Sequence, residues 1–226
     1  MSKILKIAAK ALLALLLLTV LWVVVYRFAP VPGTPLMLIR SISDGTAINH
    51  DWVPFEDISP YMMLAVVAAE DTHFMEHDGF DWEEIEKAYT DSQKGKRLRG
   101  ASTISQQTAK NVFLWPGRSW LRKGLEAYFT TLIEFFWSKE RILEVYLNSI
   151  ETGEGLYGIA AVAREHFGKT PDKLTREECA LIAATLPNPR RLSSKKPSDY
   201  VRKRQAAILK EMNFIHKSKL SPVPAK

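Results

Sequence analysis

The polar residues between Gly100 and Glu126 have the types and the spacing of an anion-binding site. The segment opens with a Ser-Thr pair that can cap a helix, and amide side chains and one lysine follow on the first turns of that helix. After a Trp-Pro-Gly turn come three basic residues and a carboxylate at helical spacing. So many guanidinium, ammonium and amide donors around one carboxylate suit a diphosphate or another polyanion. The candidate residues are Ser102, Thr103, Gln106, Gln107, Lys110, Asn111, Arg118, Arg122, Lys123 and Glu126. On spacing alone a solvated helix face explains these charges equally well, so the choice depends on the rest of the chain.

A second chemical candidate is the acidic pair formed by Glu70 and Asp71, which ends an apolar stretch. The stretch, YMMLAVVAA, is apolar nearly all round, so it predicts a helix that runs through the core, with Ser59 as its cap and Pro60 at its first position. A carboxylate at the end of a buried helix is partly desolvated, which raises its pKa as a general base requires. An ordinary exposed helix end is the alternative.

The segment HFMEH, His73 to His77, fits the H-x-x-E-H pattern of inverted zinc metallopeptidases. That motif binds a metal only on a continuous helix, where two imidazoles four residues apart face the same side. Asp78-Gly79 follows at once and Asp81 can cap a new helix, so the segment is predicted to be a loop. The sequence therefore predicts no metal site.

The N-terminus is predicted to be a membrane anchor. Ala11 to Tyr26 carries no charge, and three lysines precede it, so the apolar reach approaches the roughly 20 residues that span a bilayer. A cleaved signal peptide is the alternative, but Trp22 and Phe28 are bulky where a cleavage site needs small residues. The preceding lysines favour a cytoplasmic N-terminus, with the domain on the outer face of the membrane.

The composition fits this anchor and one compact domain. The chain has 226 residues, of which 46% are hydrophobic, and a formal net charge of +6 that favours anionic partners. The single cysteine, Cys179, excludes an internal disulfide and a cysteine-rich zinc site. Thr90 to Arg99 is predicted to be a basic loop that meets membrane phospholipids or serves solubility. No groove-reading pattern accompanies it, so nucleic acid is not expected.

Most of the remaining chain has helical patterns. A proline-rich linker follows the anchor, and Leu36 to Ile42 is interpreted as a short strand or an extended arm. Glu151 to Gly158, with three glycines, is predicted to be a loop. Helices are predicted at 61–70, 82–89, 120–137, 139–148, 159–167, from Thr175 to 185, and at 199–213, ahead of a basic tail. The soluble part is therefore expected to be all-α.

These motifs, taken together and in order, resemble the peptidoglycan glycosyltransferases, the enzymes that polymerise lipid II, and in particular the monofunctional members of that family. The match runs from about Asp57 to Ser193. The matching residues are Glu70-Asp71 with Phe74, His77 and Gly79; Gly100 to Asn111; Arg118 with Arg122, Lys123 and Glu126; and Lys139 to Gly158 followed by His166-Phe167-Gly168-Lys169. His166 departs from the tyrosine common in the family, and Ala101 from a second glycine.

The resemblance implies a lysozyme-like, all-helical domain and an inverting transfer that builds β-1,4 glycan from lipid II and releases undecaprenyl diphosphate. By the match Glu70 is the general base, Glu126 is a second catalytic carboxylate, and Lys110, Arg118 and Arg122 or Lys123 hold the diphosphate. Ser102, Thr103, Gln106, Gln107 and Asn111 match positions that line the substrate cleft. No cofactor is required, although the sequence leaves room for an assisting divalent cation.

The resemblance also implies an organisation and a location. The chain divides into an anchor at 1–28, a linker and arm at 29–56, a glycosyltransferase domain at 57–193 and a C-terminal helix and tail at 194–226. The protein is then a single-pass protein of the inner (plasma) membrane with its catalytic domain on the periplasmic side. Its partners are lipid II, the growing glycan chain and phospholipids, and other cell-wall synthesis proteins stay open.

Two other classes of function are compatible with parts of the pattern. A lysozyme-like enzyme that cleaves glycan would use its glutamate as an acid and would not need the cations around Lys110 and Arg118. A catalytically silent scaffold for wall synthesis would need neither Glu70 nor Glu126. The S-x-x-K spelled by Ser193 to Lys196 lacks its partner motifs and is attributed to chance.

Overall fold

The computed structural model describes residues 3–95 and 102–216, and helices form most of that part of the chain. The mostly helical fold class predicted from the sequence is therefore confirmed. The helices are α1 (Lys3–Phe28), α2 (Pro35–Asp44), α3 (Pro60–Glu70), α4 (Trp82–Gln93), α5 (Ile104–Phe113), α6 (Trp120–Phe136), α7 (Lys139–Ser149), α8 (Gly158–Val162), α9 (Arg176–Thr185) and α10 (Asp199–His216). The strands are β1 (Asn49–His50), β2 (Glu151–Gly153) and β3 (Leu156–Tyr157). A π-helical turn, Ala163–Phe167, continues α8 and ends at Gly168 in the left-handed conformation, as predicted for the end of that helix.

The centre of the domain is α3, which packs against α9 and α10. Six consecutive residues of α3, Met62 to Val67, are buried, because this helix is apolar on every side. Pro60 opens the helix, but Ser59 does not cap it with its side chain, since the Ser59 hydroxyl donates to the Leu174 carbonyl 3.1 Å away. The helix ends at Glu70, which lies at the edge of the core because the residues before it are buried.

Helix α5 packs against α6 and α7 on the other side of the domain. Thr103 begins α5 with a complete capping box, because its hydroxyl accepts from the Gln106 amide and the Gln106 side chain accepts from the Thr103 amide. Ser119 caps α6 by accepting a hydrogen bond of 3.2 Å from the Arg122 amide. These caps, which the sequence predicted, fix where each helix starts and therefore which polar side chains share a face.

Glu151 to Gly158, predicted to be a loop, forms a short hairpin of β2 and β3, and the small sheet has the order β1-β3-β2. Two of its glycines have positive φ values, 70° at Gly155 and 78° at Gly158. A Cβ atom at Gly158 would lie 2.8 Å from the Asn148 carbonyl oxygen, so this glycine also permits a close approach to the end of α7. The three glycines correctly indicated an unusual backbone conformation. The sequence did not reveal that β3 also pairs with β1, which is distant in sequence.

Helix α1 has the length and apolar character of a membrane span. Its C-terminal part packs on the domain: Thr19 and Tyr128 share a hydrogen bond of 2.8 Å between their hydroxyls, and the Trp137 indole donates to the Val23 carbonyl over 2.9 Å. Arg141 donates to the Tyr26 carbonyl over 2.7 Å. Helix α1 is therefore docked onto α6 and the start of α7.

The interpretation of Leu36 to Ile42 as a strand or extended arm is wrong, because this segment forms α2. Thr34 caps the helix with its side chain, Pro35 occupies its first position, and Gly45 ends it at a φ of 67°. The predicted start of the basic loop at Thr90 is also too early, because α4 continues to Gln93. The rest of that basic stretch, 96–99, and the tail from 217 lie outside the described residues, and the domain boundaries stay predictions.

Candidate active site

Glu70, the general base predicted from the sequence, lies half-buried at the C-terminal end of α3. Burial raises the pKa of this carboxyl above its ordinary value. A hydrogen bond of 2.9 Å that the Gln107 amide donates to Oε2, and the positive charges of Arg204 and Lys110, act against this rise, while Asp71 adds to it. Desolvation is the largest of these effects, so the site favours a carboxylate that readily takes up a proton.

The second predicted carboxylate, Glu126, is buried within α6 and binds two cations of the same helix. Arg122 donates to Oε2 over 2.7 Å and Lys123 donates to Oε1 over 2.5 Å. The Arg122 side chain is itself buried and its Nε has no hydrogen-bond partner. Glu126 therefore fixes the direction of both cations, and the Arg122 guanidinium keeps an unused donor.

Lys110 lies close enough to both Glu70 and Glu126 for the charge of each carboxylate to affect its pKa. Burial lowers the pKa of its ammonium, and so does the charge of Arg122, while the charges of Glu126 and Glu70 raise it. Lys110 thus interacts with the α6 cluster on one side and with the base on the other. An added anion beside this lysine would favour its charged form.

A groove of about 570 Å³ lies beside these groups. Five of the predicted residues line it, and they supply two amides and three cations: Gln107, Lys110, Asn111, Arg118 and Arg122. Other walls come from α2, from the turn at Trp115 to Gly117, from the end of α7 and the start of β2, and from the turn after α9. Arg118 precedes α6 and is exposed, so its guanidinium is free to meet a ligand in this groove.

Glu70 lines a second cavity of about 320 Å³, together with Ser102 and Thr103, and does not line the larger groove. Gln107 lines the larger groove and donates to the Glu70 carboxylate. The base and the cation-lined groove are therefore connected through the Gln107 side chain.

Gln106 and Lys123 line neither cavity, and Thr103 lines the smaller one with its hydroxyl already bound within the protein. Gln106 is buried and occupied by the capping box of α5, and Thr103 uses its hydroxyl to donate to the Gly79 carbonyl over 2.7 Å. Ser102 is exposed beside Glu70. The predicted roles of these residues in substrate binding stay predictions.

A polar network supports the loop after Glu70. Both Asp71 carboxylate oxygens bind His77 Nε2, at 2.9 and 3.1 Å, and Asp71 Oδ2 also accepts from the Ile104 amide at the start of α5. Lys139 donates to the His77 carbonyl and lies 4.6 Å from the centre of the Phe74 ring. The residues His73 to His77 are turns, as predicted, and they tie the end of α3 to the start of α5.

Arg204 was missed by the sequence reasoning. It lies on α10, within the stretch assigned to the C-terminal helix, and its charge lowers the pKa of Glu70. Its Nε is buried without a hydrogen-bond partner. Nothing in the amphipathic pattern of α10 distinguishes this arginine from its basic neighbours Arg202 and Lys203, so only the packing of α10 on α3 reveals it.

The site combines two carboxylates with fixed cations that suit an anionic ligand, and comparison with known proteins identifies the class. Residues 37–213 match the family model described as Transglycosylase. The chain therefore belongs to the transglycosylase family, which confirms the resemblance that the motifs suggested.

Curated relatives share most of the chain and carry one name, biosynthetic peptidoglycan transglycosylase. The relative from Bacteroides thetaiotaomicron is 58% identical over 221 residues, which cover 96% of this chain and 89% of the relative. The one from Rhodospirillum centenum is 50% identical over 219 residues, with 97% and 95% covered. The one from Bdellovibrio bacteriovorus is 54% identical over 205 residues, with 88% and 82% covered.

Proposed function

We propose that this protein joins lipid II units into β-1,4-linked glycan strands and releases undecaprenyl diphosphate. By its family the chain is a peptidoglycan glycosyltransferase, a hexosyltransferase, as the sequence motifs predicted. Lipid II and the growing glycan chain are the substrates that such a function implies. The observation that carries the mechanism is that Gln107 and Lys110 connect a desolvated carboxylate to a cation-lined groove.

In the proposed step Glu70 takes the proton from the 4-hydroxyl of the acceptor sugar. The acceptor oxygen then forms a bond to the anomeric carbon of the donor, and the bond from that carbon to the diphosphate oxygen breaks with its electron pair. One displacement inverts the anomeric carbon. A carboxylate with an ordinary pKa of about 4.3 is a weak base toward an alcohol, and burial of Glu70 increases its basicity.

The cations of the groove would hold the departing diphosphate. Lys110, Arg118 and Arg122 line the groove, and fixed cations in a partly dry site stabilise the negative charge that grows on a leaving oxygen. Arg122 lines the groove, so its positive charge would attract a phosphate group there. In this proposal Glu126 positions Arg122 and Lys123 and takes no proton.

The fixed cations would stabilise the charge of the diphosphate, as a metal ion does in other phosphate-transfer enzymes, so no cofactor is needed. Activity that persists after chelation of divalent cations would support this part of the proposal. A rate that collapses with chelator and returns with added Mg²⁺ would contradict it.

The apolar helix α1 fits a membrane anchor. We further propose that its N-terminus is cytoplasmic and that the domain faces the periplasm from the inner membrane, because three lysines precede the apolar stretch and no acidic residue does. Cleavage of the domain by protease added to intact spheroplasts, with the N-terminus protected, is the expected result. The reverse protection pattern would contradict this orientation.

The alternative of a glycan-cleaving enzyme makes a different assay prediction. Full-length protein in liposomes is expected to convert lipid II into polymer without any nucleotide sugar, and the polymer should be digested by a muramidase. Preformed glycan incubated with the same protein should keep its length. Shortening of preformed glycan without polymer formation would favour the hydrolase, and neither reaction would favour the scaffold.

A further inference from the structure

Helix α2 carries an apolar stripe that no other element covers within residues 3–95 and 102–216. Leu38 is 59% exposed, Ile39 is 39% exposed and Ile42 is 85% exposed. Leu38 and Ile39 lie four and three residues before Ile42, so both share a side of the helix with it. Aliphatic side chains gathered on one exposed face indicate an interaction surface.

The other sides of α2 are fixed to the domain and to the groove. Met37 is buried, and α2 packs against α5, which carries Lys110. Leu36 and Arg40 line the groove, and Arg40 lies 3.3 Å from the Glu151 carboxylate. The helix is therefore a wall of the groove whose outer surface is apolar.

The charges of α2 would not prevent its apolar side from entering a membrane interface. Arg40 pairs with Glu151, and Asp44 at the end of the helix pairs with Arg190 over 3.0 Å. The exposed stripe itself contains no ionisable side chain. An amphipathic helix with one polar, occupied side and one apolar side suits the boundary between headgroups and acyl chains.

The position of α2 in the chain selects the bilayer as its partner. Six residues, 29–34, separate the end of α1 from α2, and six residues span at most about 20 Å. This connector is held on the domain, because Val31 is buried and the Ala29 carbonyl accepts from Arg141 over 2.5 Å. The uncharged stretch of α1, Ala11 to Tyr26, ends immediately before Arg27, so the end of α1 lies in the interface where α2 begins.

We propose that α2 is an interfacial helix whose Leu38, Ile39 and Ile42 side lies in the outer leaflet while Leu36 and Arg40 face the groove. The short connector keeps this surface within about 20 Å of the end of α1, and the bilayer therefore holds one wall of the groove in place. This inference rests on the membrane anchoring in the proposed function. A lipid-borne substrate would then meet the groove at the level of the headgroups, beside α2.

Fluorescence quenching at single cysteines tests the depth of α2 directly. The native Cys179 is buried and its thiol pKa is raised to about 12, so it does not compete for a thiol-reactive label. Full-length Ile42→Cys carries an environment-sensitive fluorophore and is reconstituted in phosphatidylglycerol and phosphatidylethanolamine vesicles with the domain outside. Leu12→Cys in α1 is the membrane-depth control, and Tyr200→Cys on α10 is the control for a partly exposed aromatic outside the proposed surface.

The probe at Ile42 is expected to lose most of its emission with phospholipids that carry a nitroxide near the headgroup, and to resist quenching by aqueous iodide. The probe at Tyr200 should show the opposite pattern. Iodide quenching at Ile42 equal to that at Tyr200 overturns the proposal, and so does protection from both quenchers, which would indicate cover by protein such as a second copy. Loss of lipid quenching at Leu12 as well would instead refute the anchoring itself, independently of any activity.

Discussion

Removing the amide that binds Glu70 should shift the pH dependence of the reaction. Gln107→Met keeps the length of the side chain but deletes the donor that lies 2.9 Å from Glu70 Oε2. Glu70 acts as a base only when it is ionised, so the rate falls as the pH falls through its pKa. Because the Gln107 hydrogen bond stabilises the ionised form and lowers this pKa, its loss raises the pKa, and the acidic limb of the rate profile moves to higher pH.

The size of the shift follows from the strength of the bond. A hydrogen bond to a charged group contributes about 1.5–3 kcal/mol, and about 1.4 kcal/mol corresponds to one pKa unit, which gives about one to two units. Glu70 is half-buried, so water replaces part of the lost bond and about one unit is expected. The other groups that act on Glu70 are Lys110, Asp71 and Arg204, and all of them remain in the variant.

The measurement is the initial rate of lipid II polymerisation against pH, at subsaturating substrate, for wild type and Gln107→Met. Gln205→Met is the control, since this α10 amide donates only to the Glu177 carbonyl, 2.8 Å away, and should leave the profile in place. An acidic limb at the same pH in Gln107→Met would refute the reasoning that connects Gln107 to the base. A uniform loss of rate at every pH would assign Gln107 to substrate binding alone.

Three further predictions follow from the same contacts. Glu126→Gln leaves Arg122 and Lys123 without their buried countercharge and should cost about 3 kcal/mol of unfolding free energy, seen as a lower Tm, together with a loss of polymerisation; an unchanged Tm would contradict the pairing. Glu70→Gln should be at least as stable as wild type at pH 8. A carboxyl whose pKa is raised in the folded state destabilises the fold once the pH exceeds the pKa of the unfolded state. A lower Tm of Glu70→Gln at pH 8 would argue against this effect of burial. Arg204→Gln should move the acidic limb to higher pH, as Gln107→Met does, whereas Arg204→Lys should restore it; a profile unchanged in Arg204→Gln would remove this residue from the site.

Local signals in the sequence were sufficient for most of the helices and for the general position of the site. Thr103 and Ser119 cap α5 and α6 where the Ser and Thr residues indicated, and α3 is buried because it has no polar side. Arg122 lies four residues before Glu126, so a helix places both on one face, and the two side chains pair in the structure. These features depend on neighbours within about one helical turn.

Two of the three features that sequence reasoning missed depend on contacts between distant segments, and the third, the start of α2, depends on a local cap. The β2–β3 hairpin pairs with β1, about a hundred residues earlier, and no local pattern encodes that partner. In α2 the alternation of apolar residues suggested a strand, but Thr34 and Pro35 start a helix. The influence of Arg204 on Glu70 arises from the packing of α10 on α3, which spacing along the chain cannot predict.

The most direct test of Glu70 as the general base is the rate at which Glu70→Gln polymerises lipid II in liposomes. The substitution keeps the shape of the side chain and the partner Gln107 but removes the base, so polymer formation should fall by about 10² to 10⁴ with an unchanged circular dichroism spectrum. Wild-type rates of polymer formation by this variant would contradict the assignment of Glu70 as the group that takes the acceptor's proton.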